Sequence, residues 1–172
     1  WSFKLGRLAG IPVRVHLTFL LLLAWVAIRA FDAGASVAAA LLDTVFVLAV
    51  FGSVVLHELG HALVARRFGV GTRNITLLPI GGIARLERMP RSPTEELWIS
   101  VAGPAVNVVL AGALYLATVV LGDLSSGHGW LLGQSFVASL MWANLGLALF
   151  NLVPAFPMDG GRVARALLAR KW

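Results

Sequence analysis

His57 and His61 are separated by three residues, and Glu58 directly follows the first of them. On a helix, side chains four positions apart share one face, so both imidazoles can reach one tetrahedral metal ion. Glu58 then sits one position round, beside the metal's open site. The stretch His57-Glu58-Leu59-Gly60-His61 is the H-E-x-x-H pattern of metal-assisted hydrolysis, two ligands and a general base. A random occurrence in a chain of this composition has a probability on the order of 10⁻³, so the serious rival is another kind of metal site. A structural zinc would close its fourth position, and a transport site would need a relay of ionisable residues through the membrane. Apart from Asp43 and the metal motifs, the apolar runs offer almost no such relay.

Few other residues could join this chemistry. The chain has no cysteine, which removes thiolate zinc sites, disulfides and thiol nucleophiles together and leaves His, Asp and Glu. Asp159 follows Asn151-Leu152-Val153-Pro154-Ala155-Phe156-Pro157-Met158, where two prolines end an apolar run and could turn the chain back toward the histidines. It is a candidate third ligand. It is equally well placed as the N-cap of a helix from Gly160 to Lys171, and the local sequence does not separate the two. Asn107 is an amide in an apolar helix and needs a partner there. It could steady a substrate carbonyl or its oxyanion, or make an interhelical hydrogen bond aided by the small residues Ser100, Ala102 and Gly103. His16 at a helix start reads as an interfacial anchor or structural hydrogen-bonder, and His128 is assigned no role.

These residues must be held by membrane helices. The chain is 59% hydrophobic with only 13% charged residues, against roughly 25% in soluble domains; its mean hydropathy is +0.86. Apolar runs predict spans over about 15–28, 36–65, 97–121 and 130–152, the second containing the histidines. The first is short for a roughly 30 Å core, and Arg14 and Arg29 are expected to reach out to the interface. It follows Lys4, Arg7 and Arg14 as a signal peptide would, but runs on into further spans and reads as retained. Tryptophans 1, 98, 130 and 172 fall near the span ends, where an amphipathic ring is favoured. Between spans two and three, Asn74 to Ile80 and Ile83 to Glu87 are β-prone and separated by Gly81-Gly82, predicting a hairpin or a pair of short strands. The stretch from Phe3 to Val15 could add one more strand, with Gly6, Gly10 and Pro12 making it an edge at most. The segment from Ile75 to Ile80 is the expected free edge for an extended substrate.

The net charge of +6 is segregated by loop instead of gathered on one face, which argues against nucleic acid. Thirteen of the fourteen Lys and Arg residues lie on one side of the predicted bundle. By the positive-inside rule both termini and the loop after span two are cytoplasmic. His61, five residues before Arg66, then lies on the order of 10 Å below that surface.

The chain resembles the site-2 protease family of intramembrane zinc metalloproteases. The resemblance rests on His57-Glu58-Leu59-Gly60-His61 and, in the same order, Asn151-x-x-Pro154-x-x-Pro157-x-Asp159-Gly160. Gly10-Ile11-Pro12-Val13-Arg14-Val15-His16 and Ala102-Gly103-Pro104-Ala105-Val106-Asn107 support it. It implies an all-α polytopic membrane protein, a bundle of at least four transmembrane helices with a small membrane-associated β-hairpin or sheet. It also implies that Asp159 joins His57 and His61 on Zn2+, that Glu58 is the catalytic base, and that Asn107 is a second catalytic residue near the active site. The substrate would be a transmembrane protein cut in or near its span. The runner-up is a non-proteolytic membrane metal protein, a transporter or scaffold. Some members continue past the Asp-Gly motif into more spans and paired nucleotide-binding domains of the cystathionine-beta-synthase type. Residues 1–172 are therefore expected to be a single membrane-embedded core cut from a longer protein, with regulatory domains and oligomeric state beyond its reading.

Overall fold

The computed structural model describes residues 1–120 and 135–170. Its elements run β1 (Ser2–Leu8), β2 (Ile11–His16), α1 (Leu17–Asp32), α2 (Val37–Arg67), β3 (Thr72–Leu78), β4 (Gly81–Leu86), α3 (Pro93–Val120), α4 (Phe136–Asn151) and α5 (Asp159–Ala169). Residues 121–134, which include His128, Trp130 and the predicted start of span four, lie outside the described residues, as do residues 171 and 172.

Helix α2 organises the molecule. Ser36 caps its start by accepting from the Ala39 N–H, and its end is a Schellman turn. There Gly69 takes φ +69°, Val70 N–H bonds the Ala65 carbonyl and Gly69 N–H that of Arg66. Arg88 adds hydrogen bonds to the carbonyls of Phe68 and Gly69. Over α2 and α3 the most apolar stretches are only 17% and 33% buried inside the protein. A soluble protein would bury such helices, so their outward apolar faces mark a membrane protein. These two helices are long and apolar enough to cross a bilayer; α4 is a shorter apolar helix among the described residues.

The strands form one four-stranded sheet, order β1-β2-β3-β4, larger than the expected hairpin. Ala9 and Gly10, both at positive φ, make the two-residue turn of the first hairpin. Its second strand is not an edge. β2 pairs parallel with β3, Val13 opposite Ile75 and Val15 opposite Leu77, so the expected free edge at Ile75–Ile80 is closed on both sides. The open edges belong to β1 and β4. The inward residues of β2 and β3 explain the pairing. Val13, Val15 and Leu77 pack on Val54 and Val55, while Ile11 and Ile75 pack on Ala62, all against one side of α2.

The turn between β3 and β4 is also not where the glycines suggest. Leu78 pairs with Gly81, leaving Pro79 and Ile80 as the two turn residues. Gly82 serves close approach instead, because a Cβ there would lie 2.6 Å from Glu58 Cγ and 3.0 Å from Val54 Cγ1.

Helix α1 begins at Leu17, not Val15, with His16 as its N-cap: Nδ1 accepts from Thr18 N–H and sits 2.8 Å from its hydroxyl. At 16 residues it is about 24 Å long. Phe19 meets Phe51 edge to face at 4.5 Å, so α1 starts level with the middle of α2 and the sheet fills the space beside the remaining half. That is why span one reads short.

Candidate metal centre

Three elements bring the ligand-type residues together. His57 and His61 lie one turn apart on the buried face of α2, at 4% and 5% exposure. Asp159 is the first residue of α5, and Met158 occupies the N-cap position with no side-chain cap. The capping role open to Asp159 in the sequence is thus not the one it plays. Instead its Oδ2 lies 3.1 Å from His57 Nε2 and 3.0 Å from His61 Nε2, and the two Nε2 atoms are 3.1 Å apart. α5 is docked by Glu96 near the start of α3, which pairs with Arg165 and lies 3.9 Å from Arg162 Nε. Burial pushes the Asp159 carboxyl up, but hydrogen bonding and charge interaction with His57 and His61 outweigh it. The carboxyl is held below the ordinary carboxylate range, an anion at neutral pH.

The donor set fits a zinc ion. A tetrahedral zinc with bonds of roughly 2.0–2.1 Å separates its ligands by about 3.3 Å, close to this triangle. Each imidazole has its other nitrogen engaged: His61 Nδ1–H donates to the Ile99 carbonyl at 2.6 Å, and His57 Nδ1–H to Asn107 Oδ1 at 2.5 Å. With Nδ1 protonated, each Nε2 meets the Asp159 carboxylate, an arrangement that needs a cation between them, a proton in the ion pairs or a metal ion in their place. Gly103 of α3 leaves the room. A Cβ on it would lie 2.2 Å from His61 Nε2 and 2.6 Å from His57 Nε2, in the space a ligated metal requires.

Glu58 points from the same turn to the sheet, where Oε2 accepts the Ala84 N–H at 3.1 Å. Side groups alternate along a strand edge, so this N–H faces away from β3, on the open side of β4. Between β4 and the link from α4 to α5 runs a cleft in two adjoining parts. One, of about 340 Å³, is lined by His57, Glu58, His61, Ala84, Asp159 and Arg162. The other, of about 420 Å³, continues past Glu58 to apolar Val54, Ile80, Leu147, Phe150 and Met158. A larger groove of about 600 Å³ between β1 and α2 is apolar but for Arg7 and Ser53 and lies away from these groups.

Asn107 is fully buried. Its Oδ1 meets His57, and its Nδ2 donates to Asn144 Oδ1 at 2.9 Å. Both ends have a protein partner, and the side chain also lines the part of the cleft that continues past Glu58. Asn144 and the Ala84 N–H were not among the residues singled out from the sequence, and Gly103 was read there as a small helix-packing residue and not for the room it leaves the metal. A buried Asn in an apolar helix was the available signal for Asn144, the same that pointed to Asn107.

A hydrolase-type metal site set among outward-facing apolar helices defines the class: a membrane metallohydrolase fold. The model of peptidase family M50 matches residues 45–124 and 127–171. The chain is 41% identical over its full length to zinc metalloprotease MJ0392 of Methanocaldococcus jannaschii, covering 47% of that protein. Over 99% of its length it is 34% identical to putative zinc metalloprotease Rip3 of Mycobacterium tuberculosis, covering 44% of it. Among solved structures, the site-2 protease from Methanocaldococcus jannaschii superposes with a TM-score of 0.75 at 37% identity, covering all of this chain and 74% of that one. The chain belongs to peptidase family M50, the site-2 proteases. It spans about half the length of the curated relatives it matches.

Proposed function

We propose that this chain is the catalytic core of a zinc metalloprotease that hydrolyses peptide bonds in or near the transmembrane segments of membrane proteins. The observation that carries this reading is the convergence of His57, His61 and Asp159 beside Glu58, on a cleft bordered by a strand edge. The three would hold the zinc, which when bound acidifies a water and polarises the scissile carbonyl. Glu58 takes the water's proton and returns it to the leaving amine, and Ala84 N–H orients its carboxylate between the two tasks. Asn107 acts here by positioning His57 through Oδ1, and its second Nδ2 N–H remains for the substrate carbonyl on the cleft side.

A helical substrate offers no free backbone groups, so it must unwind before it can be cut. The edge of β4 beside Glu58 takes the role that the sequence suggests for Ile75–Ile80, pairing with the extended segment. α1 to α4 serve as four spans, with both termini and residues 68–92 cytoplasmic and the metal near that face.

Glu58→Gln keeps the side chain's size but cannot accept the proton. At equal protein and zinc levels, cleavage of a membrane substrate in detergent should fall by about 10²-fold or more. A variant that cleaves at the parental rate would remove Glu58 as the base. A parent that cleaves no membrane substrate while binding zinc would favour the transporter or scaffold.

A further inference from the structure

The hydrogen bonds behind His57 run in one direction, and a main-chain carbonyl of α4 fixes it. Asn144, fully buried, donates from Nδ2 to the Leu140 carbonyl at 2.9 Å and to Ser53 Oγ at 3.1 Å. A carbonyl oxygen can only accept, so the end of Asn144 that meets it must be the NH2 group. Its Oδ1 therefore faces Asn107, which must answer with its own NH2 at 2.9 Å. That turns Asn107 Oδ1 toward His57 Nδ1 at 2.5 Å, an acceptor that only an N–H can satisfy. The proton is held on Nδ1, and Nε2 keeps its lone pair.

Without Asn144, nothing in this chain of bonds prevents the Asn107 amide from turning over. Its NH2 would then meet Nδ1 as a donor, and the neutral ring would carry its proton on Nε2, a tautomer that cannot bind metal there. His61 needs no such relay, because the Ile99 carbonyl accepts its Nδ1–H directly. We propose that Asn144 is a positioning residue of the metal centre, locking His57 in the Nδ1–H tautomer through Asn107. Main-chain polarity in α4 thereby sets the ligand state of a side chain on α2. The proposal rests on the reading of His57 as a metal ligand and adds to it the residue that keeps it competent.

The test uses the whole detergent-solubilised chain and zinc alone, with affinity measured by chelator competition. Asn144→Leu should weaken zinc binding by about tenfold or more. The Asn107→Leu, Asn144→Leu double variant should bind no more weakly than Asn107→Leu, because Asn144 acts only through Asn107. In zinc-free protein, ¹⁵N spectra should show His57 Nδ1 carrying a proton in the parent and losing it in Asn144→Leu, whatever proton Nε2 shares with Asp159. Should the leucine variant fail to fold, Asn144→Ser, too short to reach Asn107, is read in the same way. If Asn144 merely fastens α4 to its neighbours, thermal stability falls while affinity and tautomer stay parental, and the proposal is overturned. A parent that binds no zinc overturns the ligand reading instead, and the zinc-free spectra still decide the tautomer lock.

Discussion

Gly103 is the position at which the metal centre can least absorb a change. Its missing Cβ would fall within 2.6 Å of both Nε2 atoms, and neither ring can retreat while its Nδ1 is tied to Ile99 or Asn107. Alanine is the better helix former by about 1 kcal/mol, so Gly103→Ala should leave α3 intact. It should nevertheless lower zinc content by about tenfold or more in elemental analysis. Gly112→Ala, on the same helix and in open space, should retain full zinc. Equal zinc in the two variants would mean that the ion does not lie between Gly103 and the imidazoles. At this scale the sequence was legible where chemistry is local. His57, Glu58 and His61 declare themselves by spacing, whereas Asp159 lies 98 and 102 positions from the histidines and needed the family resemblance. Asn144 meets Asn107 across 37 positions and Ser53 across 91, distances at which no local pattern carries information.

Among the elements, β4 carries two demands at once. It presents an open edge to the cleft, and through Ala84 it holds Glu58. Because that N–H faces away from β3, Ala84→Pro removes it without breaking the ladder, as proline is tolerated on an edge. Turnover of a membrane substrate should drop by about tenfold or more while zinc content stays parental. Thr76→Pro in the interior strand β3 should instead lower thermal stability, since each side of that strand is paired. Unaltered turnover in Ala84→Pro would remove β4 from substrate handling and from orienting the base. The sequence revealed β3 and β4 through their propensity but misassigned the edge. The parallel pairing of β2 joins Val13 to Ile75, 62 residues on, and depends on both strands sharing α2 as a floor. Gly82 read as part of a turn for the same reason: its need for space comes from Glu58 and Val54, on another element.

For the whole molecule, charge and shape make a joint statement about the bilayer. α2, at 31 residues, is about 46 Å long, more than the roughly 30 Å of a hydrocarbon core, and its basic end at Arg66 and Arg67 is the end beside which the sheet and α5 gather. The sheet packs along the half of α2 that carries the histidines, so half-helix α1 and the sheet together match one long helix. In the orientation we propose from the positive-inside rule, the sheet end lies in or near the cytoplasmic leaflet, with the metal a short way below the surface. The chain contains no cysteine, so single introduced thiols report position without background. Met89→Cys, at a side chain 79% exposed, should react with a membrane-impermeant maleimide only in inverted vesicles. Ser126→Cys, in the segment between α3 and α4, should react only in right-side-out vesicles. Labelling of both from the same face would overturn the orientation, whereas the opposite pattern for each would invert it and move the metal to the far leaflet.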